Sequence, residues 1–271
     1  MGSTNLPIQL TSFVGREREI ADVQRLLLSS HLVTLTGAGG SGKTRLALQI
    51  ANTVSETCAD GVWLVDLAPL REPALVPQLV TLALGLRPIA DQPLLETLQS
   101  FVRSKQLLLI LDNCEHLSEA CAQLAQELLS HAPELRILAT SRVALAIAGE
   151  TIYPVSGLDW PVFAGEAAWD EPSRLDLQAL MGYDAVHLFV ERASAVSSNF
   201  SLTSENARST VELCRRLDGL PLALELAGAR VNVLTVQEIT ARLKDRFALL
   251  ISGQRTGIEP GLFSSKERRH N

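Results

Sequence analysis

Several features of common protein classes are scarce or missing in this 271-residue chain. Its four cysteines show no CxxC pair and no metal-site spacing, so we expect free thiols in a reducing compartment, the cytoplasm. These are Cys58, Cys114, Cys121 and Cys214. No apolar run is long enough to span a bilayer, and the N-terminus lacks the core of a signal peptide. The formal net charge of −6 provides no broad basic surface, so direct contact with DNA or with a membrane is not expected.

The first 150 or so residues alternate short apolar runs with amphipathic helical stretches. The runs, which predict strands, are Leu32–Thr36, Val62–Asp66, Leu107–Leu111, Arg136–Thr140 and, more weakly, Thr151–Tyr153. The predicted helices are Lys43–Glu56, Ala74–Leu84, Pro93–Arg103 and Leu117–His131. Nearly continuous apolar strands are typical of strands buried on both faces. The pattern therefore predicts an α/β fold, with a parallel sheet and helices on both of its faces.

The second half of the chain has a different, helical pattern. Helices are predicted at Asp184–Ala195, Ser204–Leu217, Pro221–Val231 and Val236–Leu250. Before them, a stretch without periodicity is rich in Gly, Pro, Trp and acidic residues. We therefore predict an α/β domain over residues 1–156, a linker over 157–181, a small helical domain over 182–251 and a disordered tail over 252–271.

One glycine-rich segment carries specific chemistry. The sequence Gly37, Ala38, Gly39, Gly40, Ser41, Gly42, Lys43, Thr44 fits the pattern G-x-x-x-x-G-K-[ST] and lies between a predicted strand and a predicted helix. Glycines allow successive backbone N–H groups to point inward, and the helix N-terminus adds its positive dipole end. The segment, called the phosphate loop below, predicts binding of a nucleoside triphosphate, ATP with magnesium.

The third predicted strand leads into an acidic residue that suits the metal. Asp112 follows the strand at the edge where ligands collect in open α/β sheets, and with Thr44 it is predicted to hold magnesium. The next residue, Asn113, is an amide, so we expect slow hydrolysis. Glu115 is either the base that polarises the attacking water or a helix N-terminal residue. For Cys114 and its neighbour His116 we expect a structural role.

Arg142 closes the fourth predicted strand. If that strand lies between the loop strand and the Asp112 strand, Arg142 points at the γ-phosphate and distinguishes triphosphate from diphosphate. The alternative is a surface arginine at a strand end.

Together these motifs resemble the NB-ARC and wider STAND class of signal-transduction ATPases, relatives of the AAA+ group. The similarity is greatest to the nucleotide-binding part of bacterial LuxR-type and SARP-type transcriptional regulators. The residues that carry it are Phe13–Glu17, the phosphate loop, Leu109–His116, Ala139–Arg142 and Gly219–Ala223.

The resemblance implies a P-loop NTPase sheet with the strand order 5-1-4-3-2, followed by the small helical domain. It also implies that Val14, Gly15 and Arg16 line the adenine and ribose side of the pocket and that Pro221 packs on the adenine. Arg45, directly after the phosphate loop, is included among the predicted nucleotide-binding residues. ADP and ATP exchange would then move the two domains against each other.

The expected function is a nucleotide-dependent regulatory module of a transcriptional regulator, with slow hydrolysis, for which protein partners or self-association are open. Two alternatives are a conventional ATPase or phosphotransferase, and an interaction protein with a vestigial nucleotide pocket. Relatives in this class continue into a winged-helix module, so the ending at Asn271 suggests a truncated product or fragment.

Overall fold

Five parallel strands within residues 32–154 form one sheet. The computed structural model describes residues 4–87, 92–162 and 176–243. The strands are β1 (Leu32–Thr36), β2 (Val62–Asp66), β3 (Leu108–Asp112), β4 (Arg136–Ser141) and β5 (Glu150–Pro154). They lie in the order β2-β3-β4-β1-β5, and every neighbouring pair is parallel. Read from the other edge, this is the predicted order 5-1-4-3-2, so the predicted fold class is confirmed.

Helices cover both faces of the sheet. They are α1 (Glu17–Ser29), α2 (Lys43–Val54), α3 (Val76–Ala83), α4 (Leu94–Val102) and α5 (Ser118–Leu129). Leu108 and Ile110 pack with α1 and α2, whereas Leu109 and Leu111 pack with α3, α4 and α5. Because alternate residues of β3 enter opposite layers, the whole strand is buried. This explains why its sequence shows no polar alternation.

The outer edge of β2 is covered by the N-terminal segment. Thr4 forms a bridge with Val62. The side-chain amide of Asn5 donates to the carbonyl of Leu64 at 2.8 Å and accepts from its N–H at 2.7 Å. The segment thus satisfies backbone groups that an open edge strand would expose.

A helical module with its own apolar core follows the sheet. Its helices are α6 (Leu177–Met181), α7 (Asp184–Val196), α8 (Ala207–Arg216) and α9 (Pro221–Gly228), and residues 236–243 are also helical. Phe189 is fully buried there and packs edge-on against Phe200, with ring centroids 5.9 Å apart. The core also includes Leu213 and Leu224 and is separate from the two layers around the sheet.

Some element limits differ from the prediction. The predicted helix Ala74–Leu84 divides into a 3-10 turn, Pro73–Leu75, and α3, with Pro77 in the first turn of α3, where a missing N–H is tolerated. Part of the predicted linker forms α6, because the side chain of Asp176 accepts from the N–H groups of Gln178 and Ala179 and caps this helix.

The predicted domain limits stay predictions, and the predicted tail, 252–271, lies outside the described residues. Within residues 4–87, 92–162 and 176–243, no helix combines the length and the apolar character needed to cross a bilayer.

Candidate functional site

The phosphate loop joins the carboxyl end of β1 to the first turn of α2. Gly42 precedes α2 with φ of +89°, a left-handed conformation that favours glycine. The first helical hydrogen bond of α2 runs from Leu46 N to Gly42 O at 2.9 Å. The N–H groups of Lys43, Thr44 and Arg45 therefore precede the helical ladder and are available to an anion at the positive end of the helix.

Lys43 turns back over the loop that it follows. Its Nζ donates to the carbonyl oxygens of Gly37 and Ala38, both at 3.0 Å. Lys43 is largely buried, and this burial lowers the pKa of its ammonium group. The hydroxyl of Ser41, also in the loop, is buried and has no hydrogen-bond partner among the described residues. The loop thus combines a partly desolvated cation with an unsatisfied polar atom, which fits a phosphate group.

Asp112 lies at the end of β3, beside the start of α2. Thr44 Oγ1 donates to Asp112 Oδ1 at 2.8 Å, and Thr140 Oγ1 donates to the same oxygen at 2.5 Å. Asn113 Nδ2 donates to Oδ2 at 3.0 Å. Burial raises the pKa of Asp112 despite these hydrogen bonds. A nearby cation would favour the ionised carboxylate, so the carboxylate and hydroxyl oxygens here fit magnesium.

Thr140 is a site residue to which sequence reasoning assigned no role. It is the penultimate residue of β4, which pairs with β3 in parallel register, so its hydroxyl is level with Asp112. It also accepts from the N–H of Asn113 at 3.0 Å. The available signal was a hydroxyl residue at the carboxyl end of a buried strand.

Glu115 and Arg142 form an ion pair next to the loop. Glu115 Oε1 lies 3.3 Å from Arg142 Nε, whereas Glu115 Oε2 is buried and has no hydrogen-bond partner within the part of the chain that the structure describes. Arg142 directly follows β4, and β4 lies between β1 and β3. This is the strand arrangement under which Arg142 was predicted to point at the γ-phosphate. A methyl group at Gly39 would lie 3.4 Å from Arg142 Nη2, so this guanidinium borders the phosphate loop.

The neighbours of Glu115 bond to the backbone. Cys114 is buried and its thiol donates to the carbonyl of Leu111 at 3.3 Å, while His116 Nε2 lies 2.8 Å from the carbonyl oxygen of Leu70. These contacts agree with the expected structural role of both residues.

Arg16 is buried between the two halves of the chain. Its Nη2 donates to the carbonyl oxygens of Ser41 at 2.9 Å and Ser156 at 2.7 Å, and Glu19 lies 3.3 Å from Nη1. Burial lowers the pKa of this guanidinium. Its backbone N–H donates to Asp184 Oδ2 of α7 at 3.3 Å. The Arg16 side chain therefore binds the backbone of the phosphate loop at Ser41. The predicted contact of Arg16 with nucleotide stays a prediction.

Val14, Arg16, Arg45 and Pro221 line a small cavity of about 30 Å³ between the sheet domain and the helical module. Most of the predicted base-side residues are thus gathered in one place; Gly15 lies between Val14 and Arg16 in the chain. The cavity is much smaller than the several hundred Å³ typical of ligand pockets, so a base would need the two halves to separate.

The comparisons with known proteins agree with this geometry. Residues 28–151, which include the phosphate loop, Asp112 and Arg142, match the AAA domain family. Residues 28–151 therefore form an AAA-type P-loop domain. It is a nucleotide-binding domain, and it contains both the loop at the carboxyl end of β1 and the acidic residue at the end of β3.

Relatives of the AAA-type domain occur in longer bacterial proteins. An uncharacterized protein of Mycobacterium tuberculosis is 40% identical over 251 residues, which cover 93% of this chain and 58% of that protein. A protein of the same species, named as an HTH-type transcriptional regulator, is 41% identical over 237 residues, covering 88% of this chain and 24% of the regulator. The regulatory protein AfsR of Streptomyces griseus is 26% identical over 260 residues, covering 89% of this chain and 23% of AfsR. The chain therefore spans little more than half of the first of these relatives and about a quarter of the regulators.

Two solved structures share the fold at low sequence identity. A STAND protein with a tetratricopeptide repeat sensor from Pyrococcus horikoshii superposes with a TM-score of 0.52 at 15% identity, covering 82% of this chain and 30% of that protein. The structure of Drosophila ORC bound to DNA gives a TM-score of 0.51 at 13% identity, covering 93% of this chain and 70% of that one. The likeness concerns the fold of the AAA-type domain and its neighbouring helices.

Proposed function

We propose that this chain is an ATP- and ADP-binding regulatory module with slow hydrolysis, in which the bound nucleotide sets the position of the helical module. The observation that carries the proposal is that two features meet at the phosphate loop. Thr44 contacts Asp112 at the end of the loop, and the first turn of α9 in the helical module packs against the glycines of the same loop. One site thus joins the residues suited to phosphate and magnesium to the element that would move.

Each part of the site has a proposed role. The N–H groups of residues 37–45 hold the phosphates, with Arg45 contributing through its backbone, and the ammonium of Lys43 moves from the loop carbonyls to a phosphate. Thr44 and Asp112 hold magnesium, which supplies positive charge against the phosphate oxygens. The described residues contain no group of three or more His, Cys, Asp or Glu side chains arranged to hold a metal, so water and phosphate oxygens complete the coordination.

The remaining residues report on the nucleotide. Arg142 turns toward the γ-phosphate, which releases Glu115 from the ion pair to orient the attacking water. Val14, Gly15 and Arg16 contact the ribose and base side, and Pro221 packs on the adenine. The relatives named as transcriptional regulators support a place for this module inside a regulator of transcription.

The test measures phosphate release and domain position on the same protein. We expect steady-state release below roughly one phosphate per second, the lower end of ordinary enzyme turnover. We also expect the hydrogen exchange of α9 amides to differ between the ADP-bound and ATP-bound protein. Release at about ten per second or more would favour a conventional ATPase. Identical exchange with both nucleotides would contradict the switch.

A further inference from the structure

The first turn of α9 touches the phosphate loop directly. A methyl group at Gly42 would lie 3.5 Å from Pro221, and one at Gly40 would lie 3.1 Å from Leu222 Cβ. Leu222 N also donates to Gly40 O at 3.3 Å. The loop is thus covered by one end of the helical module, through apolar contacts and a weak hydrogen bond.

An ionic contact follows one turn further along α9. Glu225, four residues after Pro221, lies on the same side of the helix. Its Oε1 accepts from Arg45 Nη1 at 3.1 Å and from Arg192 Nε at 3.2 Å. Arg45 belongs to α2 and directly follows Thr44, whereas Arg192 belongs to α7. A single carboxylate oxygen therefore joins the phosphate-loop helix to two helices of the other module.

The same two guanidinium groups also hold the N-terminal segment. The carbonyl of Ser12 accepts from Arg45 Nη2 at 2.7 Å and from Arg192 Nη2 at 2.9 Å. Arg45 also donates to the carbonyl of Thr11 at 3.0 Å and lies over the ring of Phe13, 5.9 Å from its centroid. Each arginine is thus fixed by both a carboxylate and a carbonyl.

This cluster is partly buried and is less exposed than the pair of Arg215 and Glu212. The side-chain exposure of Arg192 is 14% and that of both Arg45 and Glu225 is 29%, whereas Arg215, paired with Glu212 on α8, is 53% exposed. Exposed pairs contribute little, while fixed pairs with several shared donors contribute more. Among the described residues, the cluster provides an ionic attachment of α9 to α2.

We propose that Arg45, Glu225 and Arg192 form an ionic latch that holds α9 over the phosphate loop and so limits the rate at which nucleotide leaves. The part of this inference that concerns nucleotide rests on the proposed function. The holding of α9 does not, because the contacts exist in the protein alone. In this proposal the side chain of Arg45 holds α9 in the closed position, while the backbone N–H of Arg45 binds phosphate.

The experiment uses Arg45→Met and Glu225→Gln, which remove charge while keeping similar volume, together with the double variant. Arg215→Met is the matched control, because it removes an arginine from an exposed pair away from α9. The first measurement is hydrogen exchange of the backbone amides in α9 without nucleotide. The second is the dissociation rate of a fluorescent ADP analogue.

We expect each latch variant to speed both exchange in α9 and release of the analogue by about tenfold, which corresponds to ~1.4 kcal/mol. The effect of the double variant should be smaller than the sum of the two single effects, because both single variants remove the contact between Arg45 and Glu225. Arg45→Lys should recover part of the effect, since a lysine can reach one acceptor but not several.

Three results would overturn the latch. They are unchanged exchange in α9, an effect equal to that of Arg215→Met, or additive effects in the double variant. Failure of the wild-type protein to bind the analogue would contradict the proposed function instead. In that case the exchange measurement alone would still decide whether the latch holds α9.

Discussion

Replacing Gly219 with alanine is expected to destabilise the helical module where the segment after β5 packs into its core. Gly219 lies two residues before α9 and has φ of +61°, and a methyl group on it would lie 2.0 Å from the carbonyl oxygen of Leu158. Leu158 N donates to Gly219 O at 2.8 Å. The two backbones approach so closely that an alanine must push them apart by about 1 Å, the difference between 2.0 Å and the 3.0 Å that Cβ contacts need.

The magnitude follows from two separable contributions. The left-handed backbone destabilises alanine by ~1–2 kcal/mol. The overlap adds ~1–3 kcal/mol for overpacking and ~0.5–1.5 kcal/mol for the weakened hydrogen bond. Gly85 provides the matched control, because it has φ of +69° but a methyl group there would meet nothing within 4 Å. Gly219→Ala should therefore lower the free energy of unfolding by about 2–4 kcal/mol more than Gly85→Ala.

Urea denaturation followed by circular dichroism at 222 nm measures both variants under the same conditions. The loss in Gly219→Ala should lie in the transition that includes the helices of the second module. If the two variants agreed within about 0.5 kcal/mol, the close approach of residues 158 and 219 would not stabilise the helical module.

Two further predictions concern the acidic residues of the site. Burial raises the pKa of Asp112 above its ordinary value of 3.8. The protonated carboxyl therefore stabilises the folded state at pH values below 3.8, and this stabilisation is lost as the pH rises through the raised pKa. Asp112→Asn should therefore raise the melting temperature at pH 7 without magnesium, yet abolish stabilisation by ATP and magnesium. The pKa of the Asp60 carboxyl is lowered because Lys105 donates a hydrogen bond to it, so Asp60→Asn should lower the melting temperature. A change of melting temperature in the same direction in both variants would refute the reasoning. Glu115→Gln should retain ATP binding but lose most phosphate release. An unchanged rate of phosphate release would show that Glu115 does not orient the attacking water.

Features coded by neighbouring residues could be predicted from the sequence. The strands follow from apolar runs, and the phosphate loop follows from a local pattern between a strand and a helix. Asp112 follows from its position at the end of the buried third strand. In each case the residues that determine the structure are close in the chain, so the pattern alone predicts them.

Contacts between distant segments could not be predicted in the same way. Arg16 is 140 residues from Ser156, and Arg45 is 180 residues from Glu225. Whether such side chains meet a nucleotide or each other depends on how the helical module docks, which periodicity does not encode. The short helix α6 was missed because it depends on one capping residue, Asp176, in a stretch without apolar periodicity.

Calorimetric titration with ATP and magnesium tests the central claim most directly. The wild-type protein should bind ATP with a dissociation constant of about 1 μM or lower, close to −8 kcal/mol of binding free energy. Lys43→Ala should lose this binding, whereas Lys105→Ala should keep it, since Lys105 pairs with Asp60 ahead of β2, away from the phosphate loop. Circular dichroism would verify that both variants fold. Equal binding by the wild-type protein and Lys43→Ala would contradict the account.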